Sequence, residues 1–330
     1  MRENGGKKDK KLSWLPPVLI FSAVLVVFNL VMNYLLIPYS FTRMKVHVLE
    51  TQPFDNLILG SSHAATNIDA ALLGKLTGKN SFNAAQGEQY TVDSYYLLRD
   101  ACMDYKPKRV IYEFDPTYWL TRQETDSAYA GMFYEMRMSP VKVQYFFDKM
   151  WGADFRTWTA PWYFYRGRFA DIPANLYTKG TENYRQYGVA TFDGENQTVR
   201  GDGFIAVKPG KWEDDIIVRE WNRDTIQKDD EQFFIKLAEY CRKQGIGLCV
   251  VTTPLPLGTY EAGKECFDAA YAHMDALSDR YGFAYLCYNR KPLLREDIMA
   301  EENFADWDGH MYEDAADRFT ETLAEDLEKL

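Results

Sequence analysis

The chain has 330 residues, with 38 basic and 48 acidic side chains, a net charge of −10, and 46% hydrophobic and 15% aromatic residues. That composition excludes a disordered chain, and the acidic balance excludes an unaided nucleic-acid binder, which needs a basic surface to displace the counterions around phosphates. The length suffices for one large domain or two small ones with a substantial core.

Arg2, Lys7, Lys8, Lys10 and Lys11 make residues 1–11 a short basic tail, and a charge-free, mostly apolar run follows as far as Thr42. About 20 apolar residues in a helix cross the hydrocarbon of a bilayer. Residues 12–37 therefore read as a transmembrane helix with Trp14 and Tyr34 as interfacial anchors. The run is too long for a cleaved signal peptide, and no small-x-small cleavage site follows it. Lysine-rich flanks stay cytoplasmic. The expectation is a single-pass membrane protein with a cytoplasmic N-terminus and an extracytoplasmic domain over residues 44–330.

Beyond the anchor, short β-type runs alternate with helical ones. Residues 54–59 read as a buried strand, broken by Gly60-Ser61-Ser62 before a helical stretch through Leu76. A short second strand over 81–85 precedes a helix over 91–105, and 109–114 is the third strand. Later, Phe233, Phe234, Leu237, Ala238 and Cys241 mark one face of a helix, followed by a strand over 246–252. Phe267, Tyr271, Met274 and Leu277 mark another, followed by a strand over 283–288. A terminal amphipathic helix carries Met311, Ala315, Phe319, Leu323 and Leu327. Strand alternating with helix implies an α/β fold whose parallel sheet is covered on both faces.

The alternation fails between residues 116 and 225, where aromatics crowd together, among them Trp119, Phe146, Phe147, Trp151, Trp158 and Trp162. This segment reads as an insertion into the core. It is either a lid or platform for sugar rings, whose faces pack on flat apolar side chains, or a small helical subdomain with an aromatic core. Five cysteines without C-x-x-C spacing indicate neither a disulfide framework nor a zinc knuckle. No metal or cofactor is expected.

In a parallel α/β sheet, ligands bind beyond the carboxyl ends of the strands, which is where Ser62 falls. A serine at such a turn points outward, and the backbone N–H groups of the following helix face an oxyanion. Its base has to come from four histidines. His47 adjoins the membrane, His273 lies within an amphipathic helix, and His63 is next to Ser62, where neighbouring side chains diverge; His63 is assigned a supporting or substrate-contacting role. His310, in Asp306-Trp307-Asp308-Gly309-His310 just before the terminal helix, returns to the same end of the sheet. Asp308 or Asp306 then fixes its tautomer. The oxygen ligands of a calcium loop are missing around Asp306 and Asp308, and no phosphate-binding glycine motif is present.

These residues resemble the SGNH (GDSL-like) hydrolase superfamily, and within it the membrane-anchored branch that includes the DltD-type teichoic acid D-alanyl transfer proteins and the alginate O-acetyltransferases. The resemblance rests on residues 57–63, ending Gly60-Ser61-Ser62-His63, on 82–87, which run Phe-Asn-Ala-Ala-Gln-Gly, on the strand and turn over 111–119, and on 306–310. It implies a flavodoxin-like three-layer sandwich with Ser62 as nucleophile, His310 as base, and Gly87 in the block whose backbone joins Ser62 in the oxyanion hole. The sequence departs from the family pattern in three places. Ser61 replaces the usual aspartate, the Gly-x-Asn-Asp block is absent, leaving Asn83 or Gln86 as side-chain donors, and Trp307 stands where the histidine's aspartate usually does.

The implied function is acyl transfer on an envelope polysaccharide or glycopolymer, as an O-acyltransferase or an acyl esterase, served by a membrane-bound O-acyltransferase partner. The alternative is a non-catalytic, membrane-anchored glycan-binding or accessory protein. Proximity separates the two, because catalysis requires Ser62, His310 and one aspartate within hydrogen-bond reach.

Overall fold

A computed structural model describes residues 14–210, 220–222, 224–291, 294 and 297–330. The basic tail lies outside the described residues, as do the first two residues of the apolar run. What is described of that run is a 22-residue helix, α1 (Leu15–Leu36), in which an 18-residue stretch has mean hydropathy 2.4, long and apolar enough to cross a membrane. Helix α2 (Phe41–Thr51) follows at once, capped by the Ser40 hydroxyl accepting from Arg43 N–H.

Five strands form one parallel sheet: β1 (Asn56–Leu59), β2 (Ser81–Asn83), β3 (Arg109–Glu113), β6 (Gly247–Thr252) and β7 (Ala284–Cys287), in the order β2-β1-β3-β6-β7. The α/β reading and all five expected strands are present. Every residue of β1 is buried, as in a sheet covered on both sides. Alternation assigns the two faces. Leu57, Leu59, Val110 and Val250 pack beneath α5 (Thr91–Ala101), α12 (Lys228–Gln244) and α14 (Lys264–Tyr281). Ile58, Ile111, Cys249 and Val251 pack beneath α3 (Ser62–Asn67), α4 (Ala70–Thr77) and α15 (Glu313–Glu328). Leu237 and Phe319 are both fully buried, and truncating such a side chain to alanine costs about 2–5 kcal/mol.

The helical stretch expected through Leu76 is two helices, because the Asp69 carboxylate caps α4 at Leu72 N–H and breaks the run there. The insertion holds α6 (Pro116–Leu120), α7 (Ser127–Glu135), α8 (Pro140–Tyr145), α9 (Phe155–Thr159), α10 (Ile172–Gly180) and α11 (Glu182–Arg185). It also contains an antiparallel ribbon, β4 (Gln197–Val199) and β5 (Ile205–Val207), that the sequence reading missed. Strands of three residues carry too little alternation to register. The ribbon turn sits on the β2 edge, where Asp202 O accepts from Asn83 N–H and Asp202 Oδ2 from Ala71 N–H. All five cysteines are free.

Candidate active site

The chain steps from β1 to one side of the sheet for β2 and to the other side for β3. The crevice at that reversal, beyond the carboxyl ends of the strands, is where doubly wound sheets bind ligands. A cavity of about 130 Å³ opens there, lined among others by Ser62, His63, Asp115, Thr252, Leu255 and His310.

The turn that delivers Ser62 depends on Gly60. Its φ is +147°, and a Cβ there would lie 2.7 Å from Glu113 Cβ. The two following serines divide the labour. Ser61 caps α3, its Oγ accepting from His63 N–H at 3.2 Å while donating to Glu113 Oε2 at 2.8 Å. Ser61 N–H donates to the same oxygen at 2.9 Å. Ser62, the first residue of α3, is thereby left to face the cavity.

His310 Nε2 lies 2.8 Å from Ser62 Oγ, and His310 Nδ1 lies 2.6 Å from Asp306 Oδ2. With Nδ1–H donated to the carboxylate, Nε2 is free to accept the serine proton. Asp306 Oδ1 accepts from the N–H groups of Gly309 at 2.9 Å and His310 at 3.1 Å. Burial opposes charge on Asp306, but the His310 hydrogen bond and charge, with these backbone donors, hold its carboxyl down at about 2. Burial likewise disfavours the imidazolium, yet the bond to Asp306 and the charges of Asp306, Asp308 and Asp115 raise His310 above its ordinary value. The choice left open between the two aspartates falls on Asp306. Asp308 is exposed, lines the cavity, and contributes charge without touching the ring.

Asn67 holds this geometry together, and no sequence motif marked it. Its Nδ2 donates to Gly309 O at 2.8 Å and its Oδ1 accepts from Met311 N–H at 2.9 Å. The last residue of the serine's helix thus clamps the backbone on both sides of the histidine. Gly309 has φ +113°, and a Cβ there would come within 2.8 Å of Leu255 Cδ2.

Gly87 lies beside the nucleophile: a Cβ on it would be 3.9 Å from Ser62 Cβ. Its loop is pinned at three points. Lys45 Nζ donates to Ala85 O, Thr42 Oγ1 donates to Gln86 Oε1 at 3.0 Å, and Glu88 N–H donates to Tyr118 Oη at 3.1 Å.

Of the two candidate side-chain donors, Asn83 is corrected. Asn83 is fully buried, with Nδ2 donating to Ala64 O and Ile68 O and Oδ1 accepting from Ala85 N–H. It props α3 from below, because β2 alternation turns it away from the crevice. Gln86 does not line the cavity, and its carbonyl is engaged with α2.

His63 does line the cavity. Its Nδ1 lies 3.4 Å from Asp115 Oδ2 and 3.9 Å from Glu113 Oε1, and its ring centroid 5.0 Å from that of His310. Burial first, then the neighbouring His310, lowers its affinity for a proton, against the pull of Asp115. Glu113, missed by the sequence reading, is fully buried; desolvation and then the charge of Asp115 push its carboxyl up to about 8, against the two Ser61 hydrogen bonds. His273 bonds Glu231 at 3.1 Å and packs beside Trp119 and Trp221.

Among the described residues of the aromatic insertion, only Pro116, Thr117 and Tyr118 line this cavity. Compared with known proteins, the chain matches no family model and no curated protein sequence.

Proposed function

We propose that the protein is a membrane-anchored serine acyl-transfer enzyme of SGNH type, acting on an envelope polysaccharide or glycopolymer. The observation that carries the reading is the unbroken chain Ser62 Oγ, His310 Nε2, His310 Nδ1, Asp306 Oδ2, with gaps of 2.8 and 2.6 Å. Direct contact supports catalysis over a purely glycan-binding role, which does not need an aligned base. The strand order and the positions of Ser62, Gly87 and His310 also support the flavodoxin-like sandwich of that superfamily.

In the first half-reaction Ser62 Oγ attacks the acyl carbon of an ester or thioester and its proton passes to His310 Nε2. The oxyanion is met by the N–H groups of Ser62 and Gly87. Collapse expels the alcohol or thiol, which takes the proton from Nε2 and leaves Ser62 acylated. In the second half, a glycan hydroxyl, or water in an esterase, gives its proton to Nε2 and attacks the acyl carbon. Release of Ser62 Oγ returns that proton to it. Asp306 stabilises the imidazolium in both halves. A cavity of about 130 Å³ suits a short acyl group.

Transfer is favoured over hydrolysis by the site's closeness to the membrane. Thr42 and Lys45, which hold the Gly87 loop, lie on α2, which begins five residues after α1 ends. That position suits an acyl donor handed over by a membrane-bound O-acyltransferase, with the catalytic domain extracytoplasmic and the N-terminus cytoplasmic.

The test is labelling of the detergent-solubilised full chain with a fluorophosphonate probe. Wild type labels, Ser62→Ala does not, and His310→Ala labels at a small fraction of the wild-type rate. A folded wild-type chain that stays unlabelled overturns the proposal.

A further inference from the structure

The insertion's aromatic residues have a different address from the one expected of a sugar platform. Trp162 Nε1 donates to Asn29 Oδ1 at 2.7 Å, and Trp162 N–H donates to Asn33 Oδ1 at 3.1 Å, with the Phe28 ring edge-on to the indole at 5.8 Å. Asn29 lies seven residues before the end of α1, about 10 Å down its axis at 1.5 Å per residue. On α10, Asn175 Nδ2 donates to the carbonyls of Leu35 and Leu36, and Lys179 Nζ to those of Tyr34 and Ile37. The C-terminal end of α1 is thus gripped by the insertion.

The insertion also turns large apolar side chains outward. Phe147, Trp151, Phe155, Phe169 and Tyr177 are each more than half exposed. Five such groups facing water would be costly, whereas the boundary between headgroups and acyl chains is where aromatic rings settle. The surface charge of the segment is balanced, since Lys149 and Lys179 are buried while Arg156 and Arg168 pair with Asp154 and Asp171. Outward aromatics on a charge-balanced face are the composition of a segment that lies in the plane of a bilayer.

We infer that the segment 146–180 is a second membrane-binding site, a monotopic platform embedded in the leaflet interface beside the end of α1, and that its ligand is the lipid surface. The inference rests on α1 spanning the bilayer. Its consequence is geometric: a lone helix followed by a short connection leaves the domain free to tilt, whereas helix and platform together fix the height and angle of the cleft above the membrane.

The full chain is reconstituted into nanodiscs of phosphatidylcholine and phosphatidylglycerol. In a chain whose partly exposed Cys102, Cys266 and Cys287 are replaced by serine, a single environment-sensitive fluorophore is placed by Phe155→Cys, Tyr177→Cys or, as the anchor reporter, Val24→Cys, with that serine-substituted chain as labelling blank. Lipids carrying a nitroxide near the carbonyl end or near the tail end of the acyl chain then act as quenchers. The platform predicts several-fold stronger quenching at positions 155 and 177 by the shallow nitroxide than by the deep one. Quenching at 24 without any at 155 and 177 overturns the platform and leaves its aromatic face to a protein partner. Absence of quenching at all three overturns both the platform and the anchor, and quenching at 155 and 177 without any at 24 removes the anchor and overturns the helix-and-platform geometry with it.

Discussion

Replacing Glu113 by glutamine should stabilise the protein at neutral pH, although Glu113 accepts two hydrogen bonds beside the nucleophile. Its folded-state carboxyl is raised from 4.5 to about 8, first by burial and then by the charge of Asp115. A carboxyl whose folded value exceeds its unfolded value contributes its full stability below about pH 4.5, and loses it progressively as the pH rises to about 8. At 1.36 kcal/mol for each pH step, the loss at pH 7 amounts to about 3 kcal/mol, against under about 1 kcal/mol at pH 5. Glutamine is the shape of the protonated acid, keeps an oxygen for the Ser61 N–H and Oγ–H, and cannot ionise. Denaturant or thermal unfolding of wild type and Glu113→Gln across pH 5 to 9 is the assay. The two curves should lie close at pH 5 and separate with rising pH, the variant becoming the more stable. Parallel curves, or a variant less stable at every pH, would refute the argument and show that Glu113 is ionised and held by Ser61.

Asp306→Asn should lower turnover of an activated ester by roughly 10⁴-fold, because the amide favours the wrong imidazole tautomer, whereas Asp308→Asn should leave most activity; equal losses would put the wrong aspartate in contact. Activity should rise with pH to a plateau as His310 loses its proton, with a midpoint above the ordinary histidine value. Asp308→Asn should move that midpoint down, and a pH–rate profile reads both. Asn67→Ala frees the backbone on either side of the histidine and should lower kcat more than it raises KM, with about 1–3 kcal/mol of stability lost. Gly60→Ala should fail to accumulate as folded protein, since its Cβ would fall on Glu113, and a melting curve like that of wild type would contradict this.

Much of the fold was legible because local patterns report burial. The five core strands stand out as apolar runs, and helices such as α12 and α15 carry stripes at helical spacing. The apolar run that became α1 needs only length and hydropathy to be read. Ser62 and His310 were legible because one follows a strand and the other precedes the terminal helix, so topology alone returns them to one end of the sheet.

Nothing local could choose between Asp306 and Asp308. Alternate residues of an irregular loop have no fixed face, and the choice was made by a turn that wraps Asp306 around the N–H groups of Gly309 and His310. Asn83 looked like a donor until β2 turned it beneath α3. Asn67 and Glu113 carry no motif, because their roles are contacts made across 242 and 52 residues of sequence. The aromatic insertion shows the same division. Its composition left a sugar platform and a small helical subdomain with an aromatic core both open, and only the tertiary structure shows Trp162, Asn175 and Lys179 bonded to α1. Sequence determined which segments must be buried, since burial follows from side-chain chemistry and spacing. Tertiary structure decided which polar atoms meet, since that depends on the placement of groups far apart along the chain.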